Sequence, residues 1–600
     1  MSFLALLVCS SVLCSMYAQN KKQQQHIKRP HAVIAPQVPK APRGNNSQVI
    51  LEHADVLTRA ENDPYMVVSG NVKFVKGGMQ MFCDSAHYYP DEGSLDAFGS
   101  IRMEQGDTLF VYGDELNYDG PQEIAYLYSN EGADPVRLIN RDVKLETDVF
   151  TYDLYREFGY YNTGGTLTDT HNRLTSQEGE YIPATKEANF YTQVHLKSIR
   201  PRDTLDIYTD SLFYNTRTHV ADFNSYTEIF NGNGNIVSYD GSYNTTTEYA
   251  ELFDHSRVIT KRGTTLEGDT LVYDRKKGRG EAFGNMMIID SVRQSTLKGN
   301  YGFYNEVTDS AYVTGRAVAM EYSRGDTLYM HGRQITSVLR IEDIEVPNPI
   351  DSLPGYMVTD STHIISCWPR VRFYRSDFQG LCDSMAFVER DSTLHMHRSP
   401  IVWSDQRQIF GNVIDVHLND STVDLVTLPD FGFTAQEIEP EYYNQMSGKE
   451  MIAHIDNGKL KKLDVNGNVE AIFFPEENDS TINKVVQIES SFLTADFLDG
   501  KLKRMKLWPE SNGTATPLFL ARKSILYLPK FQWYATLRPT SPEDIFVVSA
   551  EMEALMNSQP GGSRGSITPA PDTESAEAPA GESAAEAPEA VEPAAREENP

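Results

Sequence analysis

The sequence predicts an all-β protein built as an elongated repeat array of antiparallel strands. Three observations support this fold class: a phrase of fixed pattern recurs along the chain, apolar residues alternate with period two inside it, and aromatic residues are abundant. The chain has 32 Tyr and 27 Phe among 600 residues, and such side chains favour strands. A unit that cannot bury its apolar face alone depends on stacked neighbours, so we expect a continuous array.

The recurring phrase is a small residue, then Asp, three further residues, and Tyr. Cys83 to Tyr88, Gly113 to Tyr118 and Gly268 to Tyr273 are clear copies. The tyrosines of the full and weaker copies are Tyr88, Tyr118, Tyr152, Tyr181, Tyr214, Tyr243, Tyr273 and Tyr304, spaced 29 to 34 residues apart. An Ala followed closely by an aromatic residue recurs in phase, as in Ala97-Phe98-Gly99. Each unit is therefore expected to hold about three short strands.

Alternation inside the phrases places apolar side chains on one strand face, most simply the interior. Leu116 and Tyr118 share a face, since strand side chains repeat with period two. For any single tyrosine, core packing is the favoured interpretation and contact with a ligand the alternative. The candidates for an apolar groove are Tyr88, Leu116, Tyr118, Phe150, Tyr152, Leu212, Tyr214, Leu271, Tyr273 and Tyr304.

Five regions follow from this pattern. Residues 1–19 form a secretory signal with an apolar run, for which lipidation at Cys9 or Cys14 is the competing interpretation. Residues 20–47 are a basic, Pro-rich linker, 48–336 the β-repeat region, and 337–545 a second, related β region. Residues 559–600 are an acidic Ala/Glu/Pro tail that, like the linker, is predicted to be disordered because it cannot bury a core.

Composition excludes several functions. The net charge is −30, so a nucleic-acid partner is not expected. No catalytic motif emerges, and the repeated Asp is a turn residue on this interpretation, so the sequence predicts no enzyme and no cofactor. His395 and His397 share a strand face without a third ligand, so no metal site is predicted. Cys367 and Cys382 are either a disulfide or buried thiols.

The repeats resemble the OstA-like family, which includes the LptA-type periplasmic lipopolysaccharide-transport proteins. The phrases Gly70-Asn71-Val72, Ala97 to Gly99, Gly113 to Tyr118 and Gly268 to Gly284 carry the resemblance. It covers about residues 48–335, with looser coverage to about 530, and the length is similar to that of Bacteroidetes-type members. The resemblance implies a twisted double sheet with an open groove for acyl chains.

The resemblance also implies a function. We expect a periplasmic protein that binds lipopolysaccharide and carries its lipid A acyl chains in an apolar groove towards the outer membrane. Expected partners are lipopolysaccharide, the inner- and outer-membrane lipopolysaccharide-transport components, and further copies of the chain through end-to-end self-association. The alternative is a structural or adhesive surface β-solenoid that binds polysaccharide or protein through outward aromatic side chains around a closed interior.

Overall fold

A computed structural model describes residues 48–557, apart from 62, 202–203, 233, 347–355, 420–421, 478–480 and 500. The predicted signal, the linker and the acidic tail lie outside the described residues. The chain divides into two units, 1–547 and 548–600. The described part of the second unit is the helix α1, Ala550–Asn557. No helix among the described residues is long and apolar enough to span a bilayer.

The described residues of the first unit form 43 antiparallel strands, which confirms the predicted fold class. Those up to residue 231 are β1 Ile50–His53, β2 Val56–Thr58, β3 Met66–Lys76, β4 Met79–Tyr89, β5 Ser94–Gln105, β6 Leu109–Asp119, β7 Ile124–Tyr128, β8 Val136–Asn140, β9 Val143–Thr147, β10 Val149–Asp153, β11 Phe158–Tyr161, β12 Gly165–Thr168, β13 Asn172–Ser176, β14 Glu178–Ile182, β15 Glu187–Ser198, β16 Asp206–Asn215, β17 Val220–Phe223 and β18 Thr227–Asn231.

The strands continue through the rest of the first unit. They are β19 Gly234–Ser238, β20 Asp240–Asn244, β21 Tyr249–Thr260, β22 Thr264–Asp274, β23 Arg279–Asp290, β24 Ser295–Asn305, β25 Ser310–Thr314, β26 Val318–Glu321, β27 Leu328–His331, β28 Gln334–Val346, β29 Tyr356–Trp368, β30 Val371–Tyr374, β31 Gln379–Cys382, β32 Ser384–Val388, β33 Thr393–His397, β34 Ile401–Ser404, β35 Arg407–Gly411, β36 Val413–Leu418, β37 Val423–Leu428, β38 Gly432–Glu439, β39 Tyr442–Gly448, β40 Glu450–Asp456, β41 Lys459–Phe473, β42 Lys484–Leu498 and β43 Lys501–Pro517.

The strands pair into two ladders that face each other. The Tyr ladder contains the ends of the recurring phrases, for example 85–89, 94–98, 115–119 and 124–128. The opposing ladder contains 72–76, 79–83, 101–105, 109–113 and 136–140. Long strands such as β4, β5 and β6 belong to both ladders, so the two sheets are joined along one edge.

The joined edge is made by bulges within the long strands. The β4–β5 pairing shifts register between Phe82 and Ser85, and the β5–β6 pairing between Phe98 and Ile101. A bulge bends a strand without ending it. Each bulge divides a long strand into two segments, one in each ladder. Each repeat consequently contributes four strand segments, whereas the sequence predicted about three strands.

The recurring Asp lies at this edge, but inside a strand and not in a turn as predicted; Asp269, for example, belongs to β22. Gly284 has φ 69°, a left-handed conformation that suits glycine. A Cβ there would lie 2.5 Å from Oδ2 of Asp269, and Asn285 Nδ2 donates to the same oxygen at 2.9 Å. The motif Asp of one strand therefore packs against the Gly-Asn bend of its neighbour.

The edge opposite the joined edge is called the mouth here. Hairpin turns of both ladders lie along it, including 119–124 of the Tyr ladder and 140–143 of the opposing ladder. One apolar core runs between the ladders and reaches from Val49 to Ala495. The paired ladders pass without interruption from the repeat region into 337–545, through β25–β28 and β27–β30. Residues 347–355, between β28 and β29, lie outside the described residues.

Residues 518–547 return along the outer face of the opposing ladder and are called the strap. The buried carboxamide of Gln408 donates to Gln532 O at 2.8 Å and accepts from Tyr534 N–H at 2.7 Å. Gln445 makes the same pair of bonds with Leu526 O and Leu528 N–H. Each glutamine thus substitutes for a strand backbone, satisfying the polar groups of an extended segment that belongs to no ladder.

Candidate functional site

The predicted groove residues lie between the two ladders. Nine of the ten are buried, with 0 to 4% of their surface exposed; these are Leu116, Tyr118, Phe150, Tyr152, Leu212, Tyr214, Leu271, Tyr273 and Tyr304. Tyr88 is half-buried and packs against the same core. Through the repeats, these side chains fill the interior. The structure therefore brings the candidates together in one continuous apolar core.

The tyrosines are placed by the hairpin turns. Each lies one residue before the end of a Tyr-ladder strand segment, so its ring points inward and its hydroxyl reaches the mouth. The hydroxyls meet side chains on opposing-ladder turns that lie 40 to 47 residues earlier in the chain; the pairs are Lys76–Tyr118, Gln105–Tyr152, Asn140–Tyr181, Asn172–Tyr214 and Thr264–Tyr304. Hydrogen bonds therefore span the mouth along the repeats.

Burial keeps these phenols neutral. It raises the pKa of Tyr181 to about 12, while hydrogen bonds from Asn140 oppose part of the rise. Burial also raises the pKa of Tyr304 to about 12. A neutral hydroxyl can both donate and accept, which suits a bridge between two turns.

A charged cluster bridges the mouth next to Tyr304. Asp309 Oδ2 lies 3.1 Å from His363 Nε2, 3.2 Å from Arg293 Nη2 and 3.7 Å from Arg262 Nη1. The hydrogen bond from His363 and the nearby arginines lower the pKa of Asp309 to about 2, although burial opposes them. A cavity of about 220 Å³ lies beneath this cluster, with Ile288 among its apolar lining residues.

The interior widens towards the end of the array. A cavity of about 590 Å³ lies between the ladders, and Met446, Leu463, Phe497, Leu502 and Met505 provide its apolar lining. A second cavity of about 90 Å³ shares Leu463 with it. Several hydrophobic residues here are only partly buried against the core, including Met446, Phe497 and Leu502. The larger volume falls within the range of ligand pockets, roughly 300–1,000 Å³.

Lysine side chains stand beside these two cavities, each close to an acidic side chain. Lys459 is the first residue of β41, and Lys501 is the first residue of β43. Lys459 Nζ lies 3.6 Å from Asp499, and Lys501 Nζ lies 3.3 Å from Glu476. Arg407 lies over the Phe497 ring, 4.9 Å from its centroid, and burial lowers its pKa to about 10. The cavity lining is consequently mixed, because charged residues such as Arg407 and Lys501 line it together with the apolar side chains.

Sequence reasoning missed one cluster of metal-binding side chains. Asp169, His171 and His219 offer ligand atoms that all lie within 4.8 Å of one another. Asp169 and His171 are in the β12–β13 turn and His219 is in the β16–β17 turn, so no sequence spacing links them. The only local signal is Asp-x-His at 169–171. Of the pair His395 and His397, His395 has a single carboxylate partner: its Nδ1 lies 2.8 Å from Oδ1 of Asp415.

The cysteines are buried thiols. Cys83, Cys367 and Cys382 are free in the structure. Of the two interpretations of Cys367 and Cys382, a disulfide or buried thiols, the structure confirms buried thiols. Burial raises the pKa of Cys367 to about 12, so the reactive thiolate form is suppressed.

These features define a double-ladder β-repeat protein with a continuous apolar interior. Residues 46–202 match the family described as OstA-like protein. Residues 160–261 match the family described as lipopolysaccharide-assembly, LptC-related. Residues 46–261 are thus similar to OstA/Lpt-type families, which confirms the resemblance to that type of family. No curated protein matches the chain.

Proposed function

We propose that this protein takes part in lipopolysaccharide transport and holds lipid A acyl chains between its two ladders. Its OstA-like and LptC-related regions support a role in lipopolysaccharide assembly in the cell envelope. The proposed acyl binding rests on the cavity of about 590 Å³ between the ladders, with Met446, Leu463 and Phe497 among its apolar lining residues. Burial of an acyl chain there is favourable by about 0.8 kcal/mol per CH₂.

The space between the ladders indicates where a lipid can enter, because side chains fill it along the repeats and leave a cavity near its end. Around the larger cavity, Met446, Phe497 and Leu502 are only partly buried, so this section can accept an acyl chain with little rearrangement. Along the repeats, a chain would have to displace the rings of Tyr118, Tyr152 and Tyr214 and break their hydrogen bonds across the mouth. We propose that the wide section receives the lipid and that the repeat section opens for passage. The predicted groove residues then form the lining of the opened section.

A titration with a labelled lipid A probe tests this proposal. Phe497→Asp places a charge in the cavity, and Leu498→Asp is the matched control, because Leu498 is the next residue and its side chain is 59% exposed. We expect Phe497→Asp to weaken binding at least about tenfold, because the carboxylate removes an apolar contact and, even beside Arg407, must lose water when an acyl chain enters, at a cost of more than about 1.4 kcal/mol. Leu498→Asp should leave binding unchanged. Equal binding by both variants would contradict the proposed site.

Photo-crosslinking separates the two sections of the interior. A photoreactive amino acid at position 497 should label the lipid probe before one at position 150, whose native Phe150 is 1% exposed. Labelling at 497 alone would restrict the lipid to the wide section. Labelling at neither position, with a folded protein, would remove the acyl-binding proposal.

One observation favours the alternative of an adhesive solenoid. Aromatic side chains also stand outside, where Tyr226 and Tyr239 are 45% and 52% exposed and their ring centroids lie 5.3 Å apart. Paired exposed aromatics suit a sugar or protein partner. Replacement of both by Ala should abolish polysaccharide binding if this second function holds, and should leave lipid binding intact.

The free edge of the last strand is a candidate site for self-association and partner binding. The last strand, β43, pairs only with β42 among the described strands, and most of its residues are exposed. A free strand edge can add a strand from another chain. We propose that β43 is where a second copy or another lipopolysaccharide-transport component joins the array.

A further inference from the structure

We propose that Asp169, His171 and His219 bind one divalent transition-metal ion that connects the two sides of the mouth. The turn carrying Asp169 and His171 belongs to the opposing ladder, and the turn carrying His219 belongs to the Tyr ladder. An ion held by all three would be a cross-link between the sheets. It would act in the repeat section, where hydrogen bonds already span the mouth.

The spacing of the ligand atoms suits a transition metal. Asp169 Oδ2 lies 3.5 Å from His219 Nδ1, and the three ligand atoms lie within 4.8 Å of one another. Tetrahedral Zn²⁺ places its nitrogen and oxygen ligands roughly 3.4 Å apart. Small rotations of the side chains at two surface turns are therefore enough to close the site.

The surrounding hydrogen bonds orient the ligands. Nδ1 of His171 lies 2.7 Å from Oγ1 of Thr170, which holds the imidazole ring beside the turn. Asp169 accepts backbone N–H groups of His171 and Asn172 at 2.7 Å on Oδ1. Its Oδ2 accepts the hydroxyl of Tyr214 at 2.6 Å. Such outer contacts fix the orientation of metal ligands in known sites.

The chemical types of the side chains in the cluster indicate which ion would bind. Lys186 and Asp142 form an ion pair nearby, with Nζ 2.7 Å from Oδ1. Two imidazoles and one carboxylate favour Zn²⁺, Co²⁺ or Ni²⁺ over Mg²⁺ or Ca²⁺, which prefer oxygen ligands.

A bound ion would oppose the opening of the mouth. The metal-bound protein should keep the β12–β13 and β16–β17 turns together, and removal of the ion should release them. Each additional bond across the mouth stabilises the closed state, because the ion binds that state and not the open one. Metal binding would thus regulate access to the interior, whatever ligand the interior holds.

The test uses the full chain without a polyhistidine tag, freed of metal with a chelator and titrated with Zn²⁺ by calorimetry. We expect one ion per chain, and at least about tenfold weaker binding in His171→Ala and in His219→Ala. His195→Ala is the matched control, because His195 is also half-buried and lies 2.7 Å from Asp206 Oδ1 without a second histidine in that pair. This control should bind Zn²⁺ as the native chain does.

Hydrogen exchange provides a second readout. Zn²⁺ should slow exchange in 165–176 and 215–223 of the native chain and of His195→Ala, and should not do so in the two ligand variants. The variant His219→Gln serves if His219→Ala fails to fold. Equal affinity and equal protection in all variants, or several weak ions per chain, would overturn the proposal.

Discussion

Replacement of Asp309 by Asn tests whether charged contacts hold the mouth closed. Asn has nearly the same shape and removes only the charge. Asn also tolerates the left-handed backbone of this position, where φ is 48°. The change therefore affects the contacts to His363, Arg293 and Arg262 and leaves the local fold in place.

The magnitude follows from the pKa of the carboxyl. The hydrogen bond from His363 and the arginine charges lower the pKa from 3.8 to about 2. Because the side chain is only 9% exposed, solvent screening is weak. At roughly 1.4 kcal/mol per unit, the shift corresponds to about 2 kcal/mol of stability.

The sign of the pH dependence is fixed by the direction of the shift. A carboxyl whose pKa is lower in the folded state stabilises that state above its unfolded pKa, and the stabilisation is lost as pH falls through the folded value. The native protein should thus lose this contribution between about pH 4 and about pH 2. Asp309→Asn should lack it at every pH.

Hydrogen exchange over β24 to β26 measures the local opening free energy, which suits a repeat array that need not unfold in one step. At about pH 5 the variant should open more easily by about 2 kcal/mol, and the difference should shrink towards zero near pH 2. Asp107→Asn is the control, since Asp107 is exposed in another turn at the mouth. Parallel pH profiles for the native chain and Asp309→Asn would refute the reasoning.

Three further predictions concern the strap, the joined edge and the ligand. Gln408→Ala should release the strap, at a cost of about 1–3 kcal/mol for each of the partners at Gln532 and Tyr534 left unsatisfied, seen as faster proteolysis within 526–540. Gly284→Ala should lower the unfolding temperature, because its Cβ would meet Asp269 at 2.5 Å and its φ is 69°; an unchanged temperature would contradict the bend geometry. Lipid A affinity should rise with salt, since salt screens repulsion between lipid phosphates and a chain of net charge −30, and a steep fall would instead indicate an electrostatic surface site.

The sequence alone determined the class of structure and its repeating unit. Period-two alternation specified which side chains of each strand face inward, as Leu116 and Tyr118 do, because neighbouring residues of a strand point to opposite faces. The spacing of the tyrosines specified how often the unit recurs. These are local rules, and residues close in the chain obey them. The turn interpretation of the motif Asp was wrong, because Asp269 lies inside β22 and faces a Gly-Asn bend that belongs to the next strand.

Only the tertiary structure decided what meets across the mouth. Asn140 reaches Tyr181, and Asp169 reaches His219 from a turn 50 residues away. Such pairs depend on the offset between the two ladders along the array, that is, on which turn of one ladder lies opposite a given turn of the other. A local sequence pattern does not specify that offset. The bulges that join the ladders change the phase of the alternation, as in β22, where Leu266 and Gly268 are buried and then Leu271 and Tyr273. The pairing that turns such a phase change into a joined edge is visible only in the structure. The strap likewise depends on Gln408, whose role is set by a backbone segment 124 residues later in the chain.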